Sequence, residues 1–255
     1  MNLLLLEPGE LSADGTARVE GRRAEHVRAV LRAADGERIG AGVVDGRMGD
    51  AEILRGGAGA PADAPLVLRP ALDREPPPPS PVALLLALPR PKMLRRILQA
   101  VAAMGVKRLV LVGSYRVERS YFASPFVGPE AIRRELVLGL EQGRDTALPR
   151  VTVHRLFKPF LEDELDALLP APERLLAHPS SAGRLESLLP PAPGGTATLA
   201  IGPEGGWTGY EAERLREKGF QPVTLGPRPL RVDAAVPYAV AQVEMWMRVG
   251  GDRGP

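Results

Sequence analysis

The sequence contains no cysteine and only three histidines. The absence of cysteine excludes disulfides, thiolate catalysis and Cys-ligated zinc or iron–sulfur sites. The histidines (His26, His154 and His178) lie far apart and lack the spacing of paired metal ligands, so we expect no metal site. No apolar run approaches the length of a membrane span, and Leu3–Leu6 is too short for a signal peptide. We therefore expect a cytoplasmic protein without a membrane partner.

Lysine and aromatic residues are also scarce. Only four of the 33 cationic residues are lysine, and aromatic residues make up 4% of the chain. The arginine excess is typical of a GC-rich genome, but clustered arginine also suits phosphate, because the planar guanidinium group binds oxyanions in pairs. Residues 89–119 hold eight cations against one acidic residue, Glu118. This cluster indicates nucleic-acid binding, although a solvated helix face would show the same pattern.

A proline-rich segment divides the chain. Residues 73–81 (DREPPPPSP) predict a stiff, extended linker. Residues 1–72 combine a predicted helix over Arg22–Arg32 with short β-like runs at 38–44, 50–54 and 66–70, which favours a small β-barrel domain. The remaining residues, 82–250, are long enough for a second domain with its own core.

Strands and helices alternate after the linker. The continuous apolar run Val82–Leu88 is typical of a strand buried on both faces. Further strands are predicted at 108–112, 150–155, 174–177 and 198–201, with helices at 92–104, 129–143, 162–168 and 209–218. This order predicts an α/β fold with a mostly parallel sheet. A last helix over 233–249 is apolar on several sides, which fits either a core helix or a dimer interface.

Two glycine-containing turns follow short apolar strands near the end of the chain. Gly202–Gly206 follows the strand at 198–201, and Gly226-Pro227 follows a strand predicted at 222–225. Ligand crevices in open α/β sheets form at the carboxyl ends of strands, where glycine lets a ligand approach the backbone. A structural turn would look similar, but two such turns favour a small-molecule site. No GxGxxG turn follows an early strand, so a Rossmann-type cofactor site is not indicated.

These motifs resemble a known family. Ile201–Trp207 (IGPEGGW) and Leu225–Arg231 (LGPRPLR), followed by an acidic residue and a small-residue helix, are similar to the SPOUT methyltransferases. Within them the chain resembles the RsmE type, which methylates N3 of a uridine in small-subunit ribosomal RNA. Leu88–Lys92 (LPRPK), Glu141–Arg144 (EQGR) and His26–Arg32 (HVRAVLR) extend the similarity to nearly the whole chain.

The resemblance implies an architecture, a cofactor and partners. The expected fold is a PUA-like, RNA-binding β-barrel over 1–72, the linker, and a SPOUT domain over 82–250 with a C-terminal trefoil knot. The family binds S-adenosylmethionine in its knotted loops and acts as a homodimer on ribosomal RNA or the small ribosomal subunit. The implied cofactor-binding residues are Ala177, His178, Ile201, Gly202, Pro203, Glu204, Gly205, Gly206, Leu225, Gly226, Pro227, Leu230 and Ala235. For two of these residues an alternative role fits equally well: Glu204 would suit the start of a helix, and His178 would suit a purely structural role.

The resemblance also suggests catalytic residues, and the basic cluster suggests RNA-binding residues. Arg231 would stabilise negative charge on the uridine, and Asp233 would accept its proton or orient Arg231; an Arg–Asp pair capping the last helix is the structural alternative. The candidate RNA-binding residues are Arg90, Lys92, Arg95, Arg96, Arg116, Arg119 and Arg144, with Tyr115, Tyr121 and Phe122 as candidate stacking or core rings.

The chain departs from the family at its last motif. Residues 231–235 read RVDAA, where the family motif resembles RTETA, so two hydroxyls are lost and the carboxylate is one methylene shorter. This difference supports a second hypothesis, a catalytically idle RNA-binding or ribosome-assembly protein. A methyltransferase for another RNA site is a third.

Overall fold

A computed structural model describes residues 1–179, 181–189, 191–192 and 194–251. The chain forms two compact units. The first contains residues 1–78 and 136–148, and the second contains 79–135 and the described residues from 149 onward. Residues 136–148, which we expected in the second domain, therefore pack with the first unit.

The first unit is built on a five-stranded sheet. The strands are β1 (Leu4–Leu6), β2 (Ala17–Val19), β3 (Arg38–Val43), β4 (Met48–Arg55) and β5 (Leu66–Arg74). Their order is β1-β3-β4-β5-β2, antiparallel except for the parallel pair β1–β3. The expected strands correspond to β3, β4 and β5, and β5 extends two residues into the predicted linker. The sequence prediction missed β1 and β2, which have only three residues each.

The core of the first unit follows the alternation of its strands. In β4, Ala51 and Ile53 are buried while the neighbouring Asp50 is exposed, and Leu66 and Leu68 of β5 join the same cluster. The expected helix is present as α1 (Gly21–His26), which continues as a π-helical turn over Val27–Leu31. Ala24 and Val27 of this segment join the core cluster, whereas Val30 and Leu31, which the helical spacing placed on the same apolar face, are exposed.

The second unit contains a fully parallel six-stranded sheet, which confirms the predicted α/β class. Its strands are β6 (Val82–Ala87), β7 (Arg108–Val112), β8 (Arg150–His154), β9 (Glu173–Ala177), β10 (Ala197–Ile201) and β11 (Gln221–Val223). The order is β11-β9-β10-β6-β7-β8. The strand predicted at 222–225 ends earlier than expected, because the Thr224 hydroxyl accepts a hydrogen bond from the Gly226 N–H (3.2 Å) and starts the turn.

Helices lie between these strands, and the last helix follows β11. They are α2 (Pro91–Ala103), α3 (Pro129–Gly143), α4 (Phe157–Pro159), α5 (Leu165–Leu168), α6 (Gly209–Glu217) and α7 (Val232–Gly251). A π-helical turn, Phe160–Glu164, joins α4 to α5, so this helical segment begins five residues before the predicted residue 162. Gly105 follows α2 with a φ of 75°, the left-handed conformation that is common just after a helix. No helix of the described residues is both long enough and apolar enough to cross a bilayer.

The sheet topology places a crevice beside β10. All five residues of β10 are buried, as expected for a central strand covered on both faces. Strands β10 and β6 are neighbours in the sheet. From β6 the chain proceeds to β7 on one side of this pair, whereas from β10 it proceeds to β11 on the other side. Ligands of open α/β sheets bind at such a switch point, outside the carboxyl ends of the strands. The glycine-containing loop after Ile201 lies at this position.

Candidate functional site

Three loops at the carboxyl edge of neighbouring strands β9, β10 and β11 enclose a cavity, here called the three-loop cavity. It holds about 180 Å³, or about 790 Å³ when the space open to solvent is included. Its walls are formed by Ala177, His178, Pro179, Ile201, Gly202, Pro203, Glu204, Gly206, Trp207, Leu225, Gly226, Arg228, Pro229, Leu230, Val232 and Ala235. The two predicted turns and the residues after β9 therefore meet at one site.

Most of the predicted cofactor-binding residues line this cavity. The exceptions are Gly205 and Pro227, which are exposed and belong to the same two loops without forming the wall. The prediction assigned no role to Trp207, although it ends the IGPEGGW motif, and it missed Arg228 and Val232. The glycine motifs give the position of the loops, but they do not show which of their residues point inward.

Gly202 and Trp207 are in close contact in the wall. A Cβ atom on Gly202 would lie 3.0 Å from the backbone nitrogen of Trp207 and 3.2 Å from its indole Nε1. The indole is 5% exposed, and its N–H has no hydrogen-bond partner in the described part of the chain. A buried donor without a partner costs about 1–3 kcal/mol. Trp207, a wall residue, thus carries a buried donor without a partner among the described residues.

Backbone conformation fixes the two turns. Gly206 has a φ of 73° and Gly226 a φ of 128°, so both lie in the left-handed region that favours glycine. The Gly206 N–H donates to the Pro203 carbonyl at 2.8 Å. Glu204 is exposed, and its carboxylate accepts a hydrogen bond from the backbone N–H of Arg90, the N-cap residue of α2, at 3.2 Å. Glu204 therefore lies at the cavity and also supports the start of a helix.

The two predicted catalytic residues form an ion pair beside the cavity. The Arg231 guanidinium donates from Nη2 to Asp233 Oδ2 at 2.7 Å and from Nε to Oδ1 at 3.1 Å. Arg96 lies 3.5 Å from the same carboxylate. Neither Arg231 nor Asp233 lines the cavity, but Leu230 and Val232, which flank Arg231, do. The predicted pair is thus present at the cavity rim rather than in its wall.

Electrostatics favour the charged form of both partners. The hydrogen bond from Arg231 lowers the pKa of Asp233 below its usual range, more strongly than partial burial raises it, and Arg96 adds to the effect. The same bond raises the pKa of Arg231. Asp233 is therefore an anion at neutral pH and a weak proton acceptor, while Arg231 is exposed with its guanidinium held in one orientation.

A second cavity, here called the β7–β8 cavity, lies at the carboxyl ends of β7 and β8. It holds about 850 Å³ and is lined by Gly113, Ser114, Tyr115, Val117, Arg119, Phe122, Arg155, Leu156, Phe157, Lys158, Thr208, Tyr210 and Glu211. Of the predicted RNA-binding and stacking residues, Arg119, Tyr115 and Phe122 belong to it. Arg155 and Lys158 were missed, because they are far from the 89–119 cluster in sequence.

Three of the predicted RNA-binding cations are engaged within the protein. Arg95 pairs with the buried Glu135 at 2.8 Å and lies over the Phe126 ring. Arg96 pairs with Asp233, and Arg116 donates to the Gly205 carbonyl. These contacts fix α2 and the glycine-rich loop.

A fourth predicted cation, Arg90, forms a side-chain hydrogen bond with Tyr121. Arg90 and Lys92 lie at the start of α2, and Arg119 lies at the β7–β8 cavity. Arg144 belongs to the first unit and follows α3 with a φ of 54°. Among the described residues, no group of three or more His, Asp or Glu side chains has an arrangement suited to a metal ion.

Comparison with known proteins identifies the family. Residues 76–244 match the RNA methyltransferase domain family. Over 254 residues the chain is 30% identical to the ribosomal RNA small subunit methyltransferase E of Treponema pallidum, and the match covers 97% of this chain and 94% of that protein. Over 169 residues it is 33% identical to the protein of the same name from a Synechocystis species, covering 65% and 53% of the two chains. The structure of Neisseria gonorrhoeae ribosomal RNA small subunit methyltransferase E bound to S-adenosyl methionine has a similar fold, with a TM-score of 0.70, 24% identity and coverage of 96% and 97%. The chain belongs to the RNA methyltransferase family.

Proposed function

We propose that this protein transfers a methyl group from S-adenosylmethionine to N3 of a uridine in small-subunit (16S) ribosomal RNA. The observation that carries the proposal is the three-loop cavity, formed by the two motifs that resemble the SPOUT family. The names of the Treponema and Synechocystis relatives support small-subunit ribosomal RNA as the substrate. The choice of uridine N3 rests on the resemblance to the RsmE type.

The residues of the three-loop cavity suit S-adenosylmethionine. Apolar side chains such as Ile201, Leu225 and Leu230 provide a wall for the adenine ring, and the glycine turns expose backbone groups for its polar edge. The indole N–H of Trp207 has no hydrogen-bond partner among the described residues and offers one further donor to the cofactor. When bound, this cofactor supplies an electrophilic methyl group. The protein's contribution is to orient both reactants.

Arg231 and Asp233 provide the electrostatic part of the proposed mechanism. Methylation at N3 requires loss of a weakly acidic ring proton, which leaves negative charge on the uracil oxygens. The exposed guanidinium of Arg231, at the rim of the cavity, is positioned to stabilise this charge. Because its pKa is lowered, Asp233 serves to hold Arg231 in place, and the proton passes to solvent. An aspartate is sufficient for this role in the RVDAA segment.

The proposal includes the remaining expectations from the resemblance: a PUA-like RNA-binding barrel in residues 1–72, a trefoil knot in the second domain, a homodimer and a cytoplasmic location. The dimer is supported by α7, whose Tyr238, Met245 and Val249 are large, apolar and exposed. We expect Met245→Glu to shift the protein from dimer to monomer in sedimentation equilibrium. Val30→Glu, at a similarly exposed apolar residue of the first unit, is the matched control and should remain dimeric.

Methyl transfer to the ribosomal subunit tests the function. The purified protein is incubated with labelled S-adenosylmethionine and small subunits that lack native methylation, and the modified nucleoside is identified by mass spectrometry. We expect 3-methyluridine. Methyl transfer to another base or position would refute the N3 assignment. Cofactor binding without transfer, alongside an active reference enzyme, would instead support the idle RNA-binding alternative.

A further inference from the structure

The β7–β8 cavity carries an excess of positive charge. Its wall contains Arg119, Arg155 and Lys158, against one carboxylate, that of Glu211. Within the described residues, neither arginine side chain has an acidic partner within 4.0 Å, and both residues are exposed. Lys158 lies 3.9 Å from Glu162, a distant and exposed pair. The cavity therefore presents cations that the described part of the protein does not neutralise.

The carboxylate of Glu211 is fully occupied by the protein. It is 3% exposed and accepts hydrogen bonds at 2.8 Å from the N–H and the hydroxyl of Thr208 and from the backbone N–H of Tyr115. These bonds join the loop after β7 to the first turn of α6. Glu211 thus fixes two walls of the cavity, and its acceptors are directed at the protein rather than at a ligand.

Two tyrosines in these walls expose most of their surface. Tyr115, in the loop after β7, is 88% exposed, and Tyr210, in the first turn of α6, is 59% exposed. Neither ring has a hydrogen-bond partner for its hydroxyl among the described residues. Exposed aromatic rings beside unpaired cations are the combination that binds single-stranded nucleic acid, since bases stack on the rings while cations hold the phosphates.

The β7–β8 cavity adjoins the three-loop cavity. Phe157 lines the β7–β8 cavity and contacts Trp207, which lines the three-loop cavity; their ring centroids are 5.6 Å apart. Thr208, the next residue after Trp207, lines the β7–β8 cavity. A volume of about 850 Å³ falls within the usual range for small-molecule pockets, of roughly 300–1,000 Å³, and is sufficient for a nucleotide. A nucleotide in this cavity would therefore lie next to the proposed methyl donor.

We infer that the β7–β8 cavity binds an unpaired nucleotide of the substrate RNA that neighbours the methylated base. Its base stacks on Tyr115 or Tyr210, and its phosphates are held by Arg119 and Arg155. This inference rests on the proposed action on RNA. It adds a site that selects single-stranded RNA next to the reacting base, whereas the three-loop cavity binds the cofactor.

Paired substitutions separate stacking from phosphate binding. We expect Tyr115→Ala/Tyr210→Ala to raise the KM for unmethylated small subunits by roughly 5- to 150-fold, the usual effect of losing one stacked base. Arg119→Ala/Arg155→Ala should reduce the dependence of RNA affinity on log salt by roughly 0.7 for each phosphate that the variant no longer binds. Both variants should bind S-adenosylmethionine like the wild type in calorimetry, because none of these residues lines the three-loop cavity.

Arg216→Ala is the matched control, because Arg216 is an exposed cation in the last turn of α6, at the opposite end from the cavity. It should leave KM unchanged. An unchanged KM in both cavity variants, with an active wild type, would overturn the inference. A KM increase on subunits but not on protein-free 16S ribosomal RNA would also overturn it, by indicating a contact with ribosomal protein.

Failure of the proposed function can be distinguished from failure of this inference. If the wild type transfers no methyl group, binding of a labelled uridine-rich single-stranded RNA still reports on the cavity. Weaker binding by the tyrosine variant, with Arg216→Ala unaffected, would support the inference without catalysis. Equal binding by the tyrosine variant and the wild type would refute it.

Discussion

Adding one methyl group at Gly202 tests the three-loop cavity most selectively. The Cβ of Gly202→Ala would lie 3.0 Å from the Trp207 backbone nitrogen and 3.1 Å from its Cδ1, where ordinary contacts begin near 3.4 Å. Trp207 must therefore move by a few tenths of an ångström. The backbone of the turn and the indole, which is packed against Phe157, both oppose this shift.

The expected magnitude follows from overpacking. Such insertions cost about 1–3 kcal/mol. In the free protein the loop relieves this strain by moving, and cofactor binding must then restore the original position. If all of this overpacking energy is subtracted from the free energy of cofactor binding, the Kd for S-adenosylmethionine rises by roughly 5- to 150-fold. The loop carries no RNA-binding role in our proposal, so RNA affinity should not change.

Isothermal titration calorimetry with S-adenosylmethionine measures the effect directly. The control is Gly209→Ala, where the new Cβ meets nothing within 4 Å at the first residue of α6. We expect the control to bind like the wild type. Quenching of Trp207 fluorescence gives a second reading, since the chain has only one other tryptophan, Trp246. Wild-type affinity in Gly202→Ala would refute the assignment of this loop to the cofactor.

Three further predictions concern charged residues. Arg231→Ala should abolish methyl transfer and leave the Kd for S-adenosylmethionine nearly unchanged; equal loss of both in parallel assays would make Arg231 a structural or cofactor residue. The lowered pKa of Asp233 means that its pair with Arg231 persists above the usual aspartate pKa and is lost only as pH falls through the lowered value. Asp233→Asn should therefore reduce methyl transfer at neutral pH, because Arg231 loses its partner. If instead the rate of the wild type rises near pH 7 and this rise is absent in the variant, Asp233 is the base. Glu211→Gln should lower the free energy of unfolding by about 1–3 kcal/mol, because an amide NH₂ faces donors that need an acceptor; urea denaturation checks this against Glu213→Gln, an exposed pair expected to change little.

The parallel sheet and its helices could be predicted because their patterns are local. The apolar runs of β6, β7 and β10 and the 3.6-residue periodicity of α2 and α7 are visible in the sequence, and the structure confirms them. β1 and β2 have three residues each, too few for a period to be recognised. The packing of residues 136–148 with the first unit is non-local, and no sequence pattern encodes it.

The candidate site could be predicted in its loops but not in its interior. Glycine marks the turns because Gly206 and Gly226 adopt positive φ values that other residues rarely adopt. Which side chains point inward depends on tertiary packing, so Trp207 and Arg228 were missed. The engagement of Arg95, Arg96 and Arg116 within the protein was equally hidden, since their partners are distant in sequence.

The central claim is that the three-loop cavity, and not the larger β7–β8 cavity, binds S-adenosylmethionine. A crystal structure of the protein with this cofactor tests it most directly. We predict cofactor density between the loops at 177–179, 201–207 and 225–235, with the Trp207 indole N–H donating to the ligand. Density beside Tyr115 and Arg155 instead would contradict the account and exchange the roles of the two cavities.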